Sequence, residues 1–246
     1  AEWSTEKAIW KITLFNSITN KEEIISCKFL FMCSGYYSYD KGYTPEFKGI
    51  ENFNGSIVHP QKWSEEVDYD NKKVVIIGSG ATAVTLVPEI AKKASKVTML
   101  QRSPTYIVAY PDEDMFSNIL KAILPSKLSY ALTRFRNVLV QQWIYTQCRK
   151  FPKYMKKFLL NRIREYLSDD EIKKNFTPSY NPWEQRMCLV PNGDFFLSIK
   201  ENKASVVTDE ISNFTSNSIK LKSGKELDAD LIVTATGLNL KLLGGV

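Results

Sequence analysis

Val74-Val75-Ile76-Ile77-Gly78-Ser79-Gly80-Ala81-Thr82-Ala83 decides how the rest of the chain is read. The four leading apolar residues form a strand with no polar face, as a parallel strand covered on both sides requires. The hexapeptide GxGxxA follows at once. Val84 to Lys93 reads as a helix, in which Pro88 is expected to cause a kink or to fall in an early turn. Val97-Thr98-Met99-Leu100 is the next strand, completing a βαβ unit of about 30 residues.

A glycine hexapeptide alone is weak evidence. Between a buried strand and a helix it marks a dinucleotide site. Gly78 permits the tight turn, Gly80 lets the backbone reach a pyrophosphate, and Ala83 allows close helix–strand packing. Ser79, Ala81 and Thr82 complete a loop whose N–H groups, with the helix dipole, attract phosphate. An NAD site would place Asp or Glu after the second strand, to bind the ribose 2′-hydroxyl. Here Gln101-Arg102-Ser103 stands instead, with no acidic residue competing. Arg102 suits the 2′-phosphate, so NADPH is expected rather than NADH.

Upstream, 8–15 and 23–32 read as two strands around a turn at Asn20-Lys21. The second runs through Phe29-Leu30-Phe31-Met32-Cys33 into Ser34-Gly35 and a tyrosine-rich loop. A loop-rich linker then leads to Trp63. Downstream, about 115 to 175 is helical, with breaks at Pro125 and Pro152. Val206-Val207 and Ile219 to Leu221 are strands around turns. Leu231-Ile232-Val233-Thr234 is a last buried strand ending in Ala235-Thr236-Gly237. Both ends look cut: Ala1 leads into a strand in progress, and Gly244-Gly245-Val246 lacks a closing element.

The 246 residues suffice for one large domain or two small ones, and 43% hydrophobic with 24% charged residues is ordinary for a globular protein. Much of the basic excess lies between Arg149 and Arg164, with Lys150, Lys153, Lys156, Lys157 and Arg162 between. A solvated helix face is the plain reading, with a polyanionic cofactor or a membrane surface as alternatives. No nucleic-acid motif accompanies the charge. Cys27, Cys33, Cys148 and Cys188 form no CxxC pair, which fits a reducing cytoplasm and excludes the thioredoxin-reductase type of flavin reductase. No apolar run of about 18 residues could span a bilayer. His59, the only histidine, has no metal-ligand or nucleophile spacing around it, and no metal is expected.

Phe53-Asn54-Gly55-Ser56-Ile57-Val58-His59-Pro60-Gln61-Lys62-Trp63 resembles the FxGxxxHxxxW fingerprint of flavin-containing and Baeyer–Villiger monooxygenases, the final Trp favouring the latter. Asn181-Pro182-Trp183-Glu184-Gln185-Arg186-Met187-Cys188, followed by Val190 to Asp194, resembles the ethionamide-activating branch of that family. Ser64, directly after the fingerprint Trp63, stands where the Baeyer–Villiger fingerprint usually has Pro or Asp. The resemblance implies an α/β fold: a Rossmann-like NADP domain with a helical insertion, flanked by remnants of the FAD domain of a two-dinucleotide-binding-domain enzyme. Its division would be 1–50 for the first FAD segment, 51–70 for the linker, 71–110 and 181–227 for the NADP domain, 111–180 for the insertion, and 228–246 for the returning FAD segment. Phe53, Gly55, His59 and Trp63 would form a hinge, with Ser34, Gly35, Thr236 and Gly237 near FAD. The family's N-terminal flavin-binding GxGxxG is not in this sequence.

The activity so implied uses FAD, NADPH and O₂ to convert a ketone to an ester or lactone through a C4a-peroxyflavin. Arg186 would be the catalytic arginine. S- or N-oxygenation of a substrate such as a sulfide is the alternative, and a non-catalytic NADP-binding fragment is a third reading of this chain alone.

Overall fold

The computed structural model describes residues 1–245; Val246, the last residue of the expected returning segment, lies outside the described residues. The chain divides into two compact units, one of Ala1–Tyr43 and the chain from Leu238 onward, the other of Thr44–Gly237.

In the smaller unit β1 (Glu2–Ser4), β2 (Ile9–Asn16) and β3 (Lys21–Cys27) form an antiparallel meander, so the expected hairpin is present. Asn20 takes a left-handed conformation in its turn, which asparagine tolerates well. β4 (Tyr37–Gly42) pairs antiparallel with Leu238–Leu240, so a strand stands where a tyrosine-rich loop was expected. The expected buried strand Phe29–Cys33 is not one. Among the described residues no ladder hydrogen-bonds it, and Phe29 and Phe31 are each 77% exposed. Strand propensity without a neighbouring edge leaves the backbone unpaired, so the segment stays irregular.

The larger unit opens with β5 (Ser56–Val58), β6 (Lys73–Ile77), α1 (Ala81–Ile90) and β7 (Lys96–Gln101). β8 (Tyr106–Tyr110) leads into the helices α2 (Met115–Ile123), α3 (Ser126–Lys150), α4 (Pro152–Ile163) and α5 (Asp169–Asn175). Pro125 and Pro152 mark the breaks as expected. β9 (Met187–Pro191) returns parallel to β8, and α6 (Asp194–Lys200) leads to β10 (Ala204–Thr208). β11 (Ile211–Phe214), β12 (Ser218–Leu221) and β13 (Glu226–Asp228) form an antiparallel meander before β14 (Leu231–Thr234).

The main sheet is wholly parallel, in the order β10-β7-β6-β14-β5. This is a Rossmann-like α/β arrangement. Its strands are buried on both faces: Val74, Ile76, Val97, Met99 and Val233 face α1 and α6, while Val75, Ile77, Leu100 and Ile232 face the meander. The linker therefore contains a sheet strand, β5. Leu231–Thr234, assigned on sequence to a returning segment, lies inside this sheet between β6 and β5. Pro88 falls in the last turn of α1, fully within the helix, and the helix ends at Ile90 rather than Lys93. Late in a short helix its missing N–H removes a single bond.

Candidate nucleotide and oxygenation site

The chain reverses its direction of strand addition at β6, with β7 on one side and β14 on the other. Ligands of open α/β sheets bind at this point, beyond the carboxyl ends of the strands. Gly78 sits there with φ of 126°, and its N–H donates to the Leu100 carbonyl at 2.8 Å. A Cβ on Gly78 would come 2.3 Å from the carbonyl oxygen of Ala235, just after β14. The fold itself thus demands glycine at this position.

Gly80 differs. Its φ is −76°, and a Cβ there would meet nothing within 4 Å. No internal contact requires glycine; open space remains where a ligand would approach. Gly80 caps α1 without a side-chain bond, so the N–H groups of Ala81, Thr82 and Ala83 are not claimed by a cap. Ala83 is fully buried against the sheet. A phosphate fits this cradle by space, by donors and by dipole.

Arg102 follows β7 and is exposed, with no hydrogen bond or ion pair among the described residues. Gln101 beside it is buried, its amide donating to the Asn175 carbonyl at 2.7 Å and to Thr208 Oγ1 at 2.8 Å. One feature departs from the sequence reading, which found no acid nearby. Glu210, just past β10, lies close enough to Arg102 to feel its charge. Its carboxylate is held below the usual range first by a hydrogen bond from Lys222 and, more weakly, by Arg102. The acid thus has its own cation.

The fingerprint residues each make packing or hydrogen-bond contacts within the larger unit. Phe53 is buried beside Phe214 and Leu227, and a Cβ on Gly55 would meet the Asp230 carbonyl at 2.5 Å and the Phe53 ring at 2.6 Å. His59 Nδ1 accepts from the Gln61 N–H at 3.2 Å. Its other nitrogen must therefore carry the proton, and Nε2–H donates to the Gly237 carbonyl at 2.9 Å. Trp63 packs edge-on to Tyr69, with centroids 6.0 Å apart. The turn at Ala235, Thr236 and Gly237 is thus joined to both His59 and the Gly78 loop. Sequence reasoning missed Thr234, whose buried hydroxyl lies within hydrogen-bond range of the Val58 carbonyl and of Thr44 Oγ1. A polar residue closing an otherwise apolar strand was the available signal.

Ser34 and Gly35 belong to the smaller unit. The Ser34 carbonyl accepts from the Tyr39 hydroxyl at 3.2 Å, and Gly35 is left-handed with φ of 71°. Gly237 also has a positive φ, of 106°, with nothing within 4 Å of a Cβ. β9 also leads through Gly193 into α6, but the Tyr166 hydroxyl would lie 2.7 Å from a Cβ on Gly193, whereas the space beside Gly80 is open. Among the described residues the loop between β6 and α1 is therefore the better candidate for a dinucleotide phosphate cradle.

Arg186 precedes β9, whose Met187 is in register with Tyr106 of β8. It is exposed, with no ion pair or hydrogen bond among the described residues. Trp183 and Met187, on either side of it, line an apolar cavity of about 910 Å³ together with Trp143, Tyr145, Phe158 and Leu189. Trp183 has a φ of 65°, a conformation costly for a bulky residue, and rests edge-on against Tyr145. The groups nearby are poor acid–base catalysts. Burial pushes the Tyr106 phenol up to about 12, its hydroxyl donating to the Tyr180 carbonyl, and burial also raises the Cys148 and Cys188 thiols. Among the described residues no cluster of metal-ligating side chains occurs.

Comparison with known proteins agrees with this geometry. The model of the flavin-binding monooxygenase-like family matches residues 4–242. The chain is 52% identical to the FAD-containing monooxygenase EthA of Mycobacterium tuberculosis, over all of this chain and 50% of that protein. It is 49% identical to the probable FAD-binding monooxygenase AlmA of Acinetobacter baylyi, over all of this chain and 49% of that one. It spans about half the length of the curated relatives it matches. Cyclohexanone monooxygenase from Rhodococcus sp. Phi1 bound to NADP⁺ shares the fold, with a TM-score of 0.70 at 17% identity over 97% of this chain and 51% of that one. The chain belongs to the flavin-binding monooxygenase-like family.

Proposed function

We propose that this chain is the NADP-binding half of an FAD-dependent monooxygenase that uses NADPH and O₂ to insert one oxygen atom into a ketone, giving an ester or lactone. Residues 71–110 and 181–227 are read as the nucleotide domain, interrupted by the helical insertion 111–180. The Gly78–Ala83 loop takes the pyrophosphate and Arg102 the 2′-phosphate. Ser34, Gly35, Thr236 and Gly237 are read as turns bordering the flavin. When bound, the flavin supplies the redox chemistry, taking hydride from the nicotinamide and activating O₂.

The observation that carries the ketone reading is Arg186: a guanidinium with no structural partner among the described residues, between two residues that line an apolar cavity. Its charge would stabilise negative charge developing on oxygen, and the cavity would hold the apolar body of the substrate. S- or N-oxygenation is the second reading, favoured by Ser64 in place of the usual fingerprint residue. Product analysis with one ketone and one sulfide separates the two.

Cofactor choice has its own test. Arg102→Ala should raise the KM for NADPH much more than that for NADH, by the loss of a charge-assisted contact worth about 1.5–3 kcal/mol. Equal losses with both cofactors would remove Arg102 from the 2′-phosphate site.

A further inference from the structure

The helical excursion carries a charge that the rest of the chain lacks. Of the 33 Lys and Arg residues, eleven fall between Met115 and Arg164; of the 27 Asp and Glu residues, none does. Subtracting this segment turns the net charge from +6 to −5. α4 buries Met155, Leu159 and Ile163, but the two helices before it leave most of their apolar side chains in water. α2 buries no residue, and α3, 25 residues long, buries only Ser129 and Cys148. On α2, Met115, Ile119 and Ile123 are 77%, 58% and 69% exposed. On α3, Leu128, Leu132, Phe135, Leu139 and Trp143 recur at spacings of four, three, four and four, each 41–65% exposed. That spacing keeps them on one side of the helix over roughly 22 Å. A continuous apolar stripe of this size marks an interaction surface.

We infer that α2 and α3 lie in the interfacial layer of a membrane rich in anionic lipid, with the stripe among the acyl chains and the lysines and arginines at the headgroups. The combination of an acid-free segment with exposed aliphatic and aromatic side chains matches that partner on both counts. Nucleic acid would satisfy the charge but leave the stripe in water. A second copy would satisfy the stripe but set eleven positive charges against eleven. α3 is long enough to span a bilayer, but Lys127, Arg134 and Arg136 interrupt it, and no helix among the described residues is long and apolar enough to cross. The helices rest on the surface.

The test is flotation of the chain with vesicles of phosphatidylcholine alone and of phosphatidylcholine containing phosphatidylglycerol, at low and high salt. The chain should float with the anionic vesicles only, and release as salt shortens the screening length. Reversing the exposed charges in K121E/K127E/R134E should lower partitioning by at least roughly a hundredfold, since each basic residue contributes about fivefold. I119S/I123S should lower it as well, with the circular dichroism spectrum unchanged. Equal binding to neutral vesicles, no binding to either, or a dimer in sedimentation velocity that I119S/I123S dissolves would each overturn the inference. The lipid and salt comparison on the unaltered chain decides the matter alone if a variant misfolds.

Discussion

Arg186→Ala should reduce conversion of a ketone to its ester by about 10²–10³-fold in the flavin-loaded enzyme, the range for removing one preorganised group that stabilises a developing oxyanion. Oxygenation of a sulfide should fall less, because the oxygen then attacks without negative charge building up on a substrate carbonyl. NADPH binding should persist, since the phosphate cradle proposed for it lies at Gly78 to Ala83 and not in the segment around β9. Folding should persist too. Arg186 holds no ion pair or hydrogen bond among the described residues, and an exposed substitution of this kind shifts stability by no more than about 0.5 kcal/mol. Parallel product analysis, with anaerobic flavin reduction as the control, is the measurement. Near wild-type ester formation would make Arg186 incidental and leave S- or N-oxygenation as the better reading.

The two loop glycines should fail in opposite ways. Gly78→Ala places a methyl group 2.3 Å from the Ala235 carbonyl oxygen, in a backbone conformation that other residues rarely adopt. Strain of that kind costs about 1–3 kcal/mol before the clash is counted. The variant should therefore melt well below the unaltered chain, or fail to fold. Gly80→Val should leave the melting temperature nearly unchanged, because open space receives its side chain. It should instead abolish NADP⁺ binding in calorimetry. If Gly80→Val binds NADP⁺ normally, the space beside Gly80 is not the pyrophosphate site. If Gly78→Ala is as stable as the unaltered chain, the close approach to Ala235 is not what demands glycine there.

The parts of the fold legible in the sequence were those set by local pattern. Val74 to Ile77, the glycine loop and Val97 to Leu100 announce a parallel unit because strand, turn and helix follow one another without interruption. Pro125 and Pro152 separate helices by removing a donor and crowding the preceding turn. What stayed hidden depends on neighbours distant in the chain. Phe29–Cys33 has the composition of a strand, but pairing decides, and nothing among the described residues pairs with it. Ser56–Val58 looks like linker, and becomes a strand only because β14 offers an edge. At the site, the hexapeptide was plain, whereas its reliance on the Ala235 carbonyl was not. Likewise His59 could be singled out by its fingerprint, but its bond to Gly237 spans 178 positions. Glu210 near Arg102 was invisible for the same reason, since it arrives from β10.

The position of β14 also bears on how the polypeptide is made. Emerging last among the strands of its sheet, it takes an interior place, between β6 and β5. On the ribosome, the edge of β6 at Val74 and Ile76 stays bare until Leu231 has been synthesised, about 150 residues later. At usual elongation rates that interval is roughly ten to thirty seconds. Through it the nascent chain presents an apolar, unpaired edge, the kind that recruits chaperones or aggregates. A polypeptide stopped just short of Leu231 would keep its glycine loop and most of its core residues, yet should accumulate as inclusion bodies.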